Sequence, residues 1–388
     1  MNYRTKTPGW LVASTALAGA LGGGADARAQ VAFPDLVYGA TVETRMKSDQ
    51  TLNKLAGADP FNNTFNETEA EGYVNIGRYF SLNGKLIVEQ LRSVTDNAFF
   101  REEGLYAEQL YATVNLDPAR IYGGKIHPHF GRAWDIAPGL YGTDFAEDYE
   151  LTEKIGMGAA VDIHAHGVHT LSFEGFFADT GAFAHSAFTR PASGDAQALR
   201  LGRLRRGDGG VSNTGQPDNY AITLEGQRIP ELRGFGYALG YVLQRGSEAG
   251  GENDERSWVV GGWWDIPTTG QIAVTPLVEY VRQHDSQGTD GGADYLTAGI
   301  EIGLPRGWTL AGFGTLRNVE ATSTTQSFVD YQVGASVKYD LGATLLRDFV
   351  REHRLFRDLS IEGGYKHERV QGENLNTVGL ELKWEKSF

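Results

Sequence analysis

Apolar and polar residues alternate one by one over the last eleven positions of the chain. The apolar residues share one parity: Val378, Leu380, Leu382, Trp384 and Phe388. Glycine and charged residues share the other: Gly379, Glu381, Lys383 and Glu385. Because successive side chains of a strand point to opposite faces, this pattern predicts a strand with one apolar face and one charged face.

Similar alternation recurs from Asp35 to the end of the chain and predicts about sixteen strands. They span 35–47, 73–82, 85–95, 105–116, 119–127, 154–164, 168–178, 219–229, 233–245, 257–266, 271–284, 294–304, 307–318, 327–340, 359–368 and 376–388. We therefore predict an all-β fold, a transmembrane antiparallel up-and-down β-barrel with lipid outside and water inside.

The predicted connections alternate between short turns and longer polar loops. The short turns are rich in Gly, Pro, Asn and Asp: Leu82–Gly84, Asn115–Pro118, Ala165–Gly167, Ile229–Glu231, Pro267–Gly270 and Pro305–Gly307. The long loops are 48–72, 128–153 and 179–218. An even strand number places both termini at the end with the short turns, which is periplasmic in bacterial barrels. Leu341–Arg357 is too long for such a turn, and its apolar spacing suggests a small amphipathic helix.

The strands predicted between 73 and 127 alternate poorly. Arg78, Glu89, Arg92 and Glu108 do not fit a simple lipid-facing pattern. Two interpretations remain open. Either this sector packs against another subunit, or the predicted register slips there.

The closing strand and its terminal Phe388 resemble the C-terminal end of Gram-negative outer-membrane porins of the sixteen-stranded trimeric type. In that family the terminal Phe is part of an assembly signal, so the resemblance implies contact with the barrel assembly machinery. It also implies a homotrimer. Tyr122–Gly131 further resembles strand-to-loop segments of phosphate-selective and other substrate-specific porins.

The N-terminus has the pattern of a secretory signal peptide. Arg4 and Lys6 precede a short apolar stretch, Trp10–Leu21, and Ala27–Ala29 forms an A-x-A cleavage site. We expect residues 1–29 to be removed and residues 30–388 to form the barrel, in the outer membrane of a Gram-negative bacterium.

Composition narrows the function classes. Gly is abundant (51 residues), aromatic residues make up 11%, and Cys is absent, which excludes disulfides and thiolate metal sites. The net charge of −14 disfavours nucleic acid as a partner. The sequence has no catalytic motif such as G-x-S-x-G or H-E-x-x-H. We expect no enzyme activity, no cofactor and no metal.

The loop 128–153 follows the fifth predicted strand and concentrates charge. In the trimeric porins it resembles, the loop at this position folds into the barrel and narrows the pore. The candidate constriction residues are Arg132, Asp135, Asp144, Glu147, Asp148 and Glu150. Carboxylates crowded into a narrow lumen attract cations and repel anions. The alternative is a solvated outer loop.

Strand parity assigns further charged residues to the lumen wall. They are Glu43, Arg45, Lys125, Glu279, Asp330, Lys338 and Lys383. A wall of both signs would create a transverse field that suits polar solutes. A basic cluster in the loop 179–218, Arg200 to Arg206, could hold lipopolysaccharide phosphates or be a plain surface loop.

Three functions remain open at this point. The leading prediction is an outer-membrane channel for passive diffusion of small hydrophilic solutes. The second is a substrate-selective porin for anions such as phosphate or small organic acids. The third, from a different class, is a non-conducting surface adhesin or structural barrel. Single-channel conductance separates them.

Overall fold

One continuous β-sheet contains most of the described chain. The computed structural model describes residues 35–53, 59–190, 204–266, 268, 271–346 and 356–388. None of the helices within these ranges has the length and apolarity that a membrane-spanning helix requires.

The strands are β1 (Leu36–Thr51), β2 (Asn62–Ile76), β3 (Phe80–Gln90), β4 (Ala98–Phe99), β5 (Glu103–Asn115), β6 (Ala119–Ile126), β7 (Lys154–Ile163), β8 (Val168–Ala178), β9 (Phe188–Arg190), β10 (Asn219–Gln227), β11 (Phe235–Gln244), β12 (Glu255–Trp264), β13 (Ala273–His284), β14 (Ala293–Leu304), β15 (Trp308–Val319), β16 (Phe328–Asp340), β17 (Asp358–Val370) and β18 (Glu373–Ser387). Among the described residues, one short α-helix, α1, spans Ala133–Ile136. Short 3₁₀ helices span Glu147–Tyr149, Ala182–Ala184, Arg206–Asp208, Ser286–Gly288 and Pro305–Gly307.

Sixteen of these described strands form a closed antiparallel barrel, and β4 and β9 are short additions to it. The sheet closes because β1 pairs with both β2 and β18, so that Arg45 lies opposite Glu67 on one side and Lys383 on the other. Closure gives every strand two neighbours and removes the exposed edges of an open sheet. β1 begins and β18 ends at the end of the barrel that carries the short turns. The predicted sixteen-stranded barrel is therefore confirmed.

The two faces of the sheet differ as the alternation predicts. On β16, Val329 and Val333 are 54% and 47% exposed, whereas Asp330 and Gln332 are completely buried. Exposed apolar side chains of this kind occur around the barrel, so the outer face suits lipid. The polar side chains on the other face pack inside.

The second and third strands differ from the prediction. The turn between them lies at Gly77–Tyr79, where Gly77 adopts a φ of +61°, and not at Leu82–Gly84. Asn83 and Gly84 lie within β3, paired with Tyr73 and Gly72 of β2. The predicted loop 48–72 is correspondingly wrong, because β1 continues to Thr51 and β2 already begins at Asn62.

This shift explains the poor alternation between 73 and 127. Glu108 is buried on the inner face against Lys85, and Glu89 accepts a hydrogen bond from Tyr106 at 2.7 Å. Arg78 lies in the turn after β2, and Arg92 lies in the loop after β3. The poor alternation therefore follows from the shifted register, and a contact of this sector with another subunit stays a prediction.

Two other connections differ from the prediction or lie mostly outside the described residues. The strands β17 and β18 are joined by a two-residue turn, Gln371–Gly372, in which both residues have positive φ, as in type I′ hairpins. The sequence suggested a longer loop there. The predicted helix in 341–357 falls largely on residues 347–355, outside the described part, and Pro267–Gly270 is likewise mostly outside it. Both stay predictions.

Candidate functional site in the barrel interior

Charged side chains of opposite sign line the inner face of β1, β2 and β3. Arg45 Nη1 lies 2.9 Å from Glu67 Oε1, and Lys47 Nζ lies 2.8 Å from Glu67 Oε2. Lys85 Nζ lies 2.8 Å from Glu108 Oε2. Charge-assisted hydrogen bonds of this kind hold long side chains in fixed positions. This sector of the wall therefore carries an ordered network of positively and negatively charged side chains.

The segment 127–153 between β6 and β7 is bound to the inner face of the opposite wall. Glu279 on β13 accepts hydrogen bonds from the backbone N–H groups of Arg132, at 2.7 Å, and Ala133, at 3.0 Å. It also accepts one from the Tyr149 hydroxyl at 2.8 Å. One buried wall carboxylate thus holds both ends of the segment's central part.

A second attachment joins the segment to β16, β17 and β1. Asp144 accepts hydrogen bonds at 2.8 Å from Lys366 Nζ and from Gln332 Nε2. The Tyr141 hydroxyl donates to Asp49 at 2.7 Å. Because Asp49 and Lys366 belong to strands far from β6 in the sheet order, the segment reaches across the interior.

A third attachment joins the segment to β14, β15 and β16. Arg317 Nη1 lies 2.6 Å from Asp148 and its Nη2 lies 2.5 Å from Asp330. Tyr295 donates to Asp148 at 3.2 Å, and the Arg317 guanidinium lies 4.7 Å from the Phe145 ring centroid. Arg317 therefore bridges a loop carboxylate and a wall carboxylate.

The apolar side of the segment packs on apolar residues of the inner wall. The buried cluster comprises Phe130, Ala133, Ala137, Ala146, Tyr149, Leu151, Phe176, Ala221, Val242, Val259, Leu277, Val281, Ala293 and Tyr295. Burial of each large side chain contributes about 1.5–3 kcal/mol, so this cluster adds substantially to the polar attachments. The segment is a packed element rather than a solvated loop.

The remaining charges of the segment are less firmly paired. Asp135 lies 3.3 Å from Arg132 Nη2. Glu147 and Glu150 form no ion pair with any lysine or arginine among the described residues, although His127 Nδ1 is 3.9 Å from Glu150. Glu147 is exposed at the surface of the segment, but the protein around it and the charge of Asp144 raise its pKa to about 7. Burial and the charge of Glu108 raise the pKa of Glu150 to about 8.

Six of the predicted wall residues share the inner face, and one does not. On that face are Glu43, Arg45, Glu279, Asp330, Lys338 and Lys383. Lys125 has the parity of exposed Ile121 and is 3% exposed beneath residues 179–183. Its Nζ lies 3.0 Å from Glu153 and 2.9 Å from Asp179. The charge of Lys125 is therefore paired with two carboxylates, and its side chain does not share the inner face with the other predicted wall residues.

Several interior residues were missed from the sequence. They include Asp49, Glu67, Lys85, Glu108 and Arg317. Glu67, Glu69 and Glu71 recur with period two, a strand signal that the assignment of 48–72 to a loop obscured. Within the described ranges, no group of three His, Asp or Glu side chains is placed to hold a metal ion.

Comparisons with known proteins address the fold. No protein-family model matches the chain, and no curated protein sequence matches it. It is similar in structure to a loop L8 deletion mutant of OmpT, an outer membrane protein of Vibrio cholerae (TM-score 0.53, 10% identity, 90% of this chain and 99% of that chain). It is also similar to an anion-selective porin from Comamonas acidovorans (TM-score 0.53, 10% identity, 91% and 99%). A third similar structure is the outer membrane channel DcaP of Acinetobacter baumannii (TM-score 0.53, 11% identity, 92% and 99%). The chain therefore has the barrel fold of outer-membrane porins.

Proposed function

We propose that this protein is an outer-membrane channel of a Gram-negative bacterium through which small hydrophilic solutes diffuse passively. The observation that carries the proposal is a closed barrel with an apolar outer face and a charged inner face. Such an interior is costly to bury unless water and ions fill the space that side chains leave. The similar barrels from outer membranes support the same location.

The segment 127–153 serves as the constriction in this proposal. Its three attachments to the far wall support this role, since they fix it across the interior at Glu279, Lys366 and Arg317. The part of the lumen that stays open is then bounded by the segment on one side and by β1, β2, β3 and β5 on the other. Fixed charges on both sides produce a transverse field that orients polar solutes.

We expect a mild preference for cations. Eight carboxylates line the open part of the lumen, on the wall strands and on the segment: Glu43, Asp49, Glu67, Glu69, Glu71, Glu108, Glu147 and Glu150. The cations are fewer: Arg45, Lys47, Lys85 and Lys383. A net negative field attracts cations within a Debye length of about 8 Å at physiological salt. This balance argues against an anion-selective channel, even though one similar barrel is an anion-selective porin.

We also propose a homotrimer, based on the outer face of β1, β2 and β3. The outward-facing residues Thr44 and Ser48 of β1 hydrogen-bond to Thr68 and Thr64 of β2 at 3.1 and 3.0 Å. Asn66 donates to Thr68 at 3.0 Å on the same face. A polar band of this kind suits a protein partner better than hydrocarbon.

An apolar groove of about 510 Å³ lies on the same strands, next to the end of the chain. Its floor is formed by the small residues Ala40, Gly72 and Gly84, and its walls include Leu82 and Leu110. A protruding side chain of a neighbouring subunit would fill it. Contacts repeated around a closed ring would bury both the band and the groove.

Other partners follow from the surface. Lipid surrounds the apolar outer band, and the assembly machinery reads the end of the chain, where Phe388 is 72% exposed and its N–H donates to Ala40 O at 2.8 Å. Lipopolysaccharide could contact the basic cluster. Within it, Arg206 donates to Thr214 O at 2.9 Å, whereas Arg200 and Arg203 lie outside the described residues.

Single-channel recording of the purified protein tests the proposal. We expect ohmic current steps that rise in proportion to salt concentration and do not saturate with any one solute. Saturation with phosphate or a small organic acid would favour the anion-specific alternative. A folded protein that gives no current would favour the adhesin or structural barrel.

A further inference from the structure

An Arg-Gly-Asp tripeptide lies in the loop between β9 and β10. Arg206, Gly207 and Asp208 form the short 3₁₀ helix of this loop, and all three residues are exposed. Around Gly207 the space is open, since a Cβ built there would meet no atom of the described residues within 4 Å. The loop lies at the end of the barrel opposite the termini, which faces the outside of the cell. The tripeptide is therefore within reach of a protein on another surface.

A closed turn fixes the backbone of the tripeptide. The N–H of Asp208 donates to the carbonyl of Arg205 at 3.0 Å. In the other direction, the N–H of Arg205 donates to Asp208 Oδ2 at 2.8 Å. Because these two bonds join the residues on either side of Arg206 and Gly207, the turn cannot open without losing both. The turn does not require the other carboxylate oxygen, Oδ1.

A buried side chain supports the turn from beneath. Asn213 is 2% exposed, and its Nδ2 donates to the carbonyls of Arg205 and Gly209, each at 2.9 Å. The same nitrogen lies 3.4 Å from the carbonyl of Arg206. Three carbonyls of one turn thus meet at one amide group. A backbone that is fixed in this way loses less conformational entropy when a partner binds.

The turn is also attached to the neighbouring external loop, between β11 and β12. Glu252 of that loop accepts a hydrogen bond from the N–H of Gly210 at 2.9 Å. The N–H of Ser212 donates to the carbonyl of Arg245 at 2.8 Å. Gly209 has a φ of +75°, and a Cβ at this position would collide with Glu252 Oε1. The tripeptide therefore stands on a packed base formed by two loops.

We propose that Arg206-Gly207-Asp208 is a docking site for a receptor protein on another cell, one whose binding site combines an acidic pocket with a bound divalent cation. Carboxylate oxygens are preferred ligands of Mg²⁺ and Ca²⁺, so exposed Asp208 suits the cation. A guanidinium binds carboxylates through two parallel hydrogen bonds, so Arg206 suits the acidic pocket. Gly207 adds no side chain between them. The barrel would then act as an adhesin in addition to its role as a channel.

Arg206 has to exchange one contact when the receptor binds. Its Nη2 donates to the carbonyl of Thr214 at 2.9 Å. A receptor carboxylate replaces this neutral acceptor by a charged one, which gives the stronger hydrogen bond. Exposed Arg205 adds a second positive charge that attracts an acidic receptor. Lipid phosphates would also attract the two arginines, but they would not use Asp208, and this difference separates the two partners.

Binding of the purified barrel, in detergent, to an immobilised integrin ectodomain that recognises Arg-Gly-Asp peptides tests the proposal. With Mg²⁺ present we expect saturable binding, which EDTA abolishes and an excess of soluble Arg-Gly-Asp peptide displaces. Asp208→Glu keeps the charge but lengthens the side chain, so the Kd should rise by about tenfold or more as the contact to a charged group is lost. Asn213→Ala keeps the tripeptide but loosens the turn, and the Kd should rise by about threefold to tenfold.

The matched control is Glu248→Asp, an equally conservative change of an exposed carboxylate on the neighbouring loop, and it should bind like the wild-type protein. A heat-dependent gel shift and unchanged conductance verify that each barrel is folded. Wild-type barrels that do not bind, or an Asp208→Glu variant that binds as tightly as wild type, would overturn the proposal. So would binding that survives EDTA and is lost in Arg205→Gln and Arg206→Gln variants, because it would assign the loop to anionic groups such as lipopolysaccharide phosphates. The channel function does not depend on any of these results.

Discussion

Glu279 offers the sharpest perturbation of the segment 127–153. Replacing it with Ala removes the acceptor of three hydrogen bonds, from the N–H groups of Arg132 and Ala133 and the hydroxyl of Tyr149. The N–H groups lie in a buried part of the segment, where each unsatisfied donor costs about 1–3 kcal/mol. With the buried Tyr149 hydroxyl also left without its acceptor, the attached state of the segment should lose about 3–9 kcal/mol relative to a detached state.

A change of this size is large on the scale of local equilibria. Each 1.4 kcal/mol is about a tenfold change, so the ratio of attached to detached segment should fall by at least about 100-fold. The barrel should survive, because its strand ladders do not depend on the Glu279 side chain. We expect a larger mean conductance, more open-channel noise and weaker ion selectivity for Glu279→Ala.

Single-channel recording at fixed salt measures these effects. The control is Asp162→Asn, which alters another interior carboxylate that binds Arg120 and Thr170 on neighbouring strands. It should leave conductance and noise near wild-type values. If Glu279→Ala matched this control while folding normally, the segment would not be what limits the pore.

Three further predictions follow from the same structure. Arg317→Met leaves Asp148 and buried Asp330 without their shared cation. We expect the free energy of unfolding to fall by about 3–5 kcal/mol, measured as a lower unfolding temperature in detergent. An unchanged unfolding temperature would argue against the ionic bridge. Gly84→Trp fills the outer groove and should convert the proposed trimer to monomer, as judged by mass measurement in mild detergent, whereas Val329→Leu on another lipid-facing strand should not. Deleting Phe388 should lower the amount of folded protein in the outer membrane several-fold; normal assembly of that truncation would remove the assembly role of the terminal residue.

Strand number and alternation were predictable from sequence because each is local. One apolar face per strand is enough to place residues such as Val329 and Asp330 on opposite sides. The first half of the second strand was not predicted because its outward-facing residues are polar. Asn66 and Thr68 satisfy one another by hydrogen bonds, which removes the apolar signal that marks a strand elsewhere in the chain.

The site was predictable only in part. The sequence located the charged segment and its six candidate residues, but it could not tell a paired carboxylate from an unpaired one. Asp144 and Glu147 look alike in sequence, and the difference between them is Lys366, more than 200 positions away along the chain. Lys125 was misplaced for a related reason, since its partner Asp179 belongs to a distant loop.

Liposome swelling measures passive diffusion of solutes through the water-filled lumen. Vesicles containing the purified protein are diluted into isosmotic solutions of neutral sugars of increasing size, and the swelling rate is recorded by light scattering. We expect swelling rates that fall smoothly with solute size, do not saturate with concentration, and increase for large sugars in Glu279→Ala. Vesicles that hold folded barrels and swell no faster than protein-free vesicles would contradict it.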